Sequence, residues 1–123
     1  MIGVKLEGRL GNQMFQYAFA LAYSKKIKSD WFIKSTRDIP FLLPEFFELN
    51  SYSSFMNYLR KKRFLKKLQE IDFENDLLPH ENLKSLRPNS IINGYFQSEE
   101  YFKEISPIIK MEFEIKKKYI KMK

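Results

Sequence analysis

Along the chain, apolar residues first alternate with small or charged ones in Ile2-Gly3-Val4-Lys5-Leu6, which reads as the opening strand. The alternation stops at Gly8-Arg9-Leu10-Gly11, where two glycines bracket a tight turn. A helix is predicted from about Gln13 to Lys28, with Asn12 as its cap. Phe15, Ala18, Phe19 and Ala22 mark one face of it, and Met14, Tyr17 and Leu21 fill the neighbouring one. A helix this apolar around most of its circumference belongs in a core. Lys25, Lys26 and Lys28 suit the negative pole at its end. Trp31-Phe32-Ile33-Lys34 reads as the next strand, and strand, turn, buried helix, strand is a βαβ unit with a parallel sheet.

After Asp38 the pattern is less regular, and Pro40 and Pro44 interrupt it. A second helix is predicted over Phe55–Leu68, with Phe55, Leu59, Leu65 and Leu68 apolar and a basic cluster between them. Ile71 to Arg87 reads as mostly irregular. Ser90-Ile91-Ile92-Asn93 is a buried strand ended by Gly94. Ser98 is placed to cap a helix beginning Glu99-Glu100-Tyr101-Phe102, and Ser106-Pro107 to restart it. The expected fold is α/β: one domain over residues 1–123, a Rossmann-like parallel sheet with flanking helices.

Composition narrows the chemistry. A chain of 123 residues, 44% hydrophobic and 16% aromatic, can build one core. Lys+Arg 22 against Asp+Glu 15 gives a formal net charge of +7. The excess gathers at Arg60-Lys61-Lys62-Arg63 with Lys66 and Lys67, and at Lys116-Lys117-Lys118 with Lys121 and Lys123. Such clusters attract phosphates, acidic lipid surfaces and nucleic acid. No helix-turn-helix, zinc-finger or RNP-type pattern accompanies them, so nucleic acid is not the expected partner. The lack of cysteine excludes disulfides, thiol nucleophiles and cysteine-bound metals, and a lone histidine, His80, argues against a histidine metal site. Met1 to Glu7 reads as a strand and not as a secretory leader, and the apolar run Met14 to Tyr23 contains Gln16 and is too short to span a bilayer. The expected location is cytoplasmic. The basic helix is read as a solvated face or as a contact with an anionic membrane.

The stretch with the most chemical content is Gly8-Arg9-Leu10-Gly11-Asn12-Gln13. A first strand, a glycine turn and a helix N-terminus together present free backbone N–H groups and roughly half a positive charge to an anion. Gly11 admits a phosphate without a Cβ in the way, Asn12 offers an amide donor and a carbonyl acceptor, and Arg9 adds a charged fork. The same letters also describe an ordinary helix start with Asn12 as its cap, and spacing does not choose between the two. Tyr95 and Gln97 lie just past a strand end, where open α/β sheets place ligands, so Tyr95 either stacks on a sugar face or packs in the core. Glu99 and Glu100 are read as helix-start residues rather than as a catalytic pair.

Residues 8 to 18, Gly-Arg-Leu-Gly-Asn-Gln-Met-Phe-Gln-Tyr-Ala, closely resemble the opening motif of the α-1,2-fucosyltransferase family. Gly94-Tyr95-Phe96-Gln97-Ser98-Glu99, followed by Tyr101-Phe102, resembles that family's second N-terminal signature. A similar Gly-Arg-x-Gly-Asn-Gln turn lies in the donor cleft of protein O-fucosyltransferases. The resemblance implies transfer of L-fucose from GDP-fucose to the 2-hydroxyl of a galactose-type glycan acceptor, with inversion and without a metal. It also implies a GT-B-like frame, of which this chain is the N-terminal half. Arg9, Gly11, Asn12 and Gln13 are then the donor-binding residues, with Tyr95 and Gln97 lining the cleft. The family's His-x-Arg-Arg-Gly-Asp segment, associated with the GDP leaving group, is not found, and His80-Glu81-Asn82-Leu83 does not match it. The expectation is a chain without full activity by itself, the alternative a non-catalytic remnant with at most weak nucleotide-sugar binding. A half of this kind exposes the face its C-terminal partner domain covers, which implies self-association.

Overall fold

The computed structural model describes residues 1–64, 69–72 and 89–119. Four short strands, β1 (Ile2–Lys5), β2 (Trp31–Lys34), β3 (Gln69–Asp72) and β4 (Ser90–Asn93), form one parallel sheet in the order β2-β1-β4-β3. Ile2 stands level with Trp31 and with Ser90, and Ser90 with Gln69, so all four carboxyl ends reach one edge together. The fold is therefore α/β and Rossmann-like in character, as the βαβ pattern predicts. The strand β3 takes in the first two residues of the stretch read as mostly irregular: Ile71 and Asp72 pair with Ile92 and Asn93. The rest of that stretch, with His80, lies outside the described residues.

Period-two burial sorts the strand residues onto two faces. Ile2, Val4, Trp31, Ile33 and Ile92 join one apolar core with Tyr17, Ala18, Phe19, Ala20 and Leu21. These last five belong to α1 (Leu10–Ile27), the long helix predicted to be buried. On the other face Gly3 is level with Phe32 and Ile91, and the missing Cβ of Gly3 makes room for the Phe32 ring. α1 begins three residues earlier than the periodicity suggests. Its N-cap is Arg9, in extended backbone with no side-chain cap bond, so the expectation that Asn12 caps the helix is corrected. Apolar Leu10 and flexible Gly11 hide this start from a pattern reading, because neither carries a capping oxygen. The helix ends at Lys28 in left-handed backbone (φ 53°), whose N–H bonds back to Lys25 and Ser24 carbonyls.

Two helices follow β2: the single turn α2 (Leu43–Phe46) and α3 (Ser54–Phe64). Residues 65–68 of the predicted second helix, including Leu65, Lys66, Lys67 and Leu68, lie outside the described residues. α3 lies along the free edge of β2. The Asn57 side chain accepts from Ile33 N–H at 2.7 Å and donates to Ile33 C=O at 3.1 Å, and Arg60 donates to Trp31 C=O at 3.1 Å. Residues 31 and 33 are those whose backbone groups point off the edge, so α3 substitutes for a neighbouring strand and blunts the edge. Arg60 also reaches Asp30 at 3.6 Å, which removes it from the solvated basic face expected of the cluster.

After β4 the chain makes two tight helical turns, Glu99–Tyr101 and Lys103–Ile105, and then α4 (Ser106–Glu112). Ser98 caps the first, its hydroxyl accepting from Glu100 N–H at 3.2 Å, as expected. Pro107 sits in the first turn of α4. Glu100 pairs with Lys103 at 2.9 Å, in keeping with a helix-start role. Residues beyond α4 return to the α2 region: Glu48 N–H bonds Glu114 C=O and Lys116 N–H bonds Phe46 C=O, both at 2.9 Å. Beneath this clasp lies Glu112, 2% exposed, whose carboxyl group accepts from the Tyr17 hydroxyl and from Ser51 N–H. Burial first, then Glu112, holds the Tyr17 phenol protonated well above its ordinary range. Among the described residues no helix is long and apolar enough to cross a membrane.

Candidate functional site

The carboxyl ends of β1 and β4, neighbours in the sheet, lead into α1 and into the turns before α4, which pack against each other through Phe15–Phe102 and Phe19–Tyr101. The carboxyl end of the strands is the side on which open α/β sheets usually take ligands. Gly8 (φ +76°) turns the chain there, in backbone that L residues rarely adopt. A Cβ on Gly8 would stand 2.1 Å from Asn12 Nδ2, so the glycine is required by the packing of the turn against its own helix.

The first backbone bond within α1 is made by Gln13 N–H to Arg9 C=O, at 2.9 Å. The amides of Leu10, Gly11 and Asn12 precede it and have no intrahelical acceptor. Gly8, Arg9 and Gly11 are exposed and Asn12 is half-buried. A Cβ on Gly11 would meet nothing within 4 Å, so the space beside that residue is open. The eighteen-residue helix carries its positive pole at this end.

The predicted site residues divide into two groups. Asn12 and Gln97 come together: Gln97 Nε2 donates to Asn12 Oδ1 at 2.7 Å, which joins the loops after β1 and β4. Arg9 stands exposed beside them. Gln13 faces inward and is fully buried; its amide donates to Pro40 C=O at 2.9 Å and its carbonyl accepts from Leu42 N–H at 2.8 Å. It fastens the loop after β2 to the helix. Tyr95 is half-buried, and the deeply buried aromatic of that loop is Phe96. Phe96 takes left-handed backbone (φ 53°) and stacks on Phe19, with ring centroids 3.9 Å apart. This turn sends Phe96 into the core and Gln97 outward to Asn12.

Gln16 is a site-building residue that the sequence reading passed over. It is fully buried, accepts from Glu7 N–H at 3.2 Å and donates to Gly94 C=O at 2.8 Å. Asn12, Gln13 and Gln16 thus tie α1 to the loops after β1, β2 and β4. The available signal was a glutamine inside the apolar run Met14 to Tyr23, where an unpaired amide is costly and a partner is implied.

Beside Gly11 runs an apolar groove of about 280 Å³, walled by Met14, Phe15, Phe102, Ile109 and Phe113 with Glu99 at its rim. The corner therefore places the positive pole of α1 next to an apolar groove with aromatic walls. Among the described residues no group of three or more histidine, aspartate or glutamate side chains converges to hold a metal ion. No family model matches the chain, and neither curated proteins nor solved structures yield a match.

Proposed function

We propose that the β1–α1 corner binds the diphosphate of a nucleotide sugar, and that the chain is the donor-facing, N-terminal part of a GT-B-like glycosyltransferase. The motifs shared with α-1,2-fucosyltransferases narrow the donor to GDP-fucose and the acceptor to a galactose-type glycan. The observation that carries the reading is the helix start itself: the amides of Leu10, Gly11 and Asn12 lie ahead of the first intrahelical bond, at an exposed Gly11 with open space beside it. When a glycosidic bond to a nucleotide breaks, negative charge builds on the departing diphosphate, and fixed donors aimed at it lower the barrier. The amides of Leu10, Gly11 and Asn12 fill that role here, with the Arg9 guanidinium as a mobile addition. Gln13 and Gln16 act as positioning residues, since each side chain is bonded at both ends to the backbone. The groove beside Gly11 offers aromatic walls to the base or the sugar. Donor capture is the scope of this reading; transfer calls for further cationic groups of the kind supplied by the family's arginine-rich segment.

Gly11→Ala separates ligand binding from folding. Its new methyl group meets no protein atom, and alanine favours a helix by up to about 1 kcal/mol over glycine, so thermal stability stays level or rises. The same methyl group stands where the phosphate approaches. Isothermal titration with GDP and GDP-fucose should show binding to the parent chain and a loss of about tenfold in Gly11→Ala, or ~1.4 kcal/mol. No heat from the parent, or equal affinity in the variant, would count against the assignment.

A further inference from the structure

Helix α3 is built inside out. Asn57 and Arg60, with half-buried Lys61, turn toward the edge of β2. Phe55, Tyr58, Leu59 and Lys62 stand at i, i+3, i+4 and i+7 on the opposite side. Phe55 is 67% exposed, Tyr58 55% and Leu59 41%, and Met56 beside them is 41% exposed. The polar side of this helix is thus the packed one and the apolar side is bare, the reverse of an ordinary surface helix.

Charge decides what covers it. From Leu49 to Gln69 the sequence holds no aspartate or glutamate, and it carries Arg60, Lys61, Lys62, Arg63, Lys66 and Lys67. Lys62 lies on the bare face itself, its ammonium 5.8 Å from the Tyr58 ring centre. A second copy docking through this face would set like charges against each other. A nucleic-acid backbone would satisfy the cations and leave Met56 and Leu59 in water. An anionic bilayer surface satisfies both: cations at headgroup level, aromatic and aliphatic side chains in the acyl boundary.

We propose that the outward face of α3, formed by Phe55, Tyr58, Leu59 and Lys62 and flanked by Met56 and Arg63, lies in the interface of an anionic membrane. The surface stands at the β2 edge, made of residues separate from the Gly8–Asn12 corner, and does not depend on the function proposed for that corner. The test is co-sedimentation of the full chain with phosphatidylcholine vesicles, with and without phosphatidylglycerol. Binding is expected only to the anionic vesicles. Replacing Lys62 and Arg63 with Gln should weaken it about fivefold per charge. Phe55→Ser with Leu59→Ser removes exposed side chains that the fold does not use, and should weaken it by about tenfold or more. Lys25→Gln with Lys26→Gln, on α1, removes equal charge elsewhere and should change binding less than about twofold. The proposal is overturned if the parent ignores anionic vesicles, if the Phe55/Leu59 variant binds as the parent does, or if single-stranded RNA competes the chain off the vesicles.

Discussion

Replacing Glu112 with alanine should lower the unfolding free energy by about 3–5 kcal/mol, an appreciable share of what a domain of this size possesses. The carboxyl group sits 2% exposed between α1, the loop before α3 and the end of α4. It accepts from the Tyr17 hydroxyl and from Ser51 N–H, at 2.9 and 3.1 Å to its two oxygens for the latter. Alanine strands the fully buried Tyr17 hydroxyl, at ~1–3 kcal/mol, removes the acceptor of Ser51 N–H, and leaves a cavity where the buried side chain stood. Glu112→Gln keeps one acceptor oxygen but turns an NH₂ group toward a donor, and should fall between parent and alanine. Urea unfolding is the readout: the midpoint should drop with an unchanged slope. A loss under about 1 kcal/mol would show that the clasp of residues 112–116 on 46–49 contributes little.

The other large effect is expected at Gly3. A Cβ there would lie 2.3 Å from Phe32 Cζ, inside contact distance of a ring that is fully buried. Both residues stand level on adjacent parallel strands, so neither backbone can retreat without breaking the ladder. Gly3→Ala must push Phe32 off its rotamer or open the sheet, at about 3 kcal/mol. Pairing it with Phe32→Leu should return part of that loss. A double-mutant cycle in urea should give a coupling beyond ~1 kcal/mol, and strict additivity would contradict the packing.

These two sites mark where sequence patterns stop being informative. Alternation in Ile2-Gly3-Val4-Lys5 places a strand correctly, but it treats Gly3 as a small filler and is silent on which ring occupies the vacancy. Strands β1, β2 and β4 and helix α1 are legible because each is a dense apolar run between turn residues, and each is buried nearly throughout. β3 is not, since Gln69-Glu70-Ile71-Asp72 reads as polar and its strand character comes from pairing with β4. α3 misleads in a different way: Phe55, Met56, Tyr58 and Leu59 face out, because Asn57 and Arg60 are better partners for the bare backbone of an edge strand.

At the corner, the residue types forecast a turn bracketed by Gly8 and Gly11 and a helix pole; the structure supplies the pole but confines the turn to Gly8 and Arg9, since Leu10 and Gly11 already belong to α1. The division of labour was not legible. Asn12 is one turn-member inside the helix rather than its cap, and it meets Gln97 across 85 residues of sequence. Gln13 and Gln16, neighbours on one helical face, are structural rivets whose amides close the loops around the opening. Only the tertiary contacts distinguish an amide that receives a ligand from one that holds the receiving loop in place.

The central claim is that the free amides at the start of α1 meet a diphosphate, and amide-resolved NMR during a GDP titration tests it most directly. The largest shifts should fall on the backbone N–H groups of Leu10, Gly11 and Asn12, with smaller ones at Gln97 and in the groove at Phe15 and Phe102. Shifts confined to the lysine-rich segments, or none at saturating nucleotide, would contradict it.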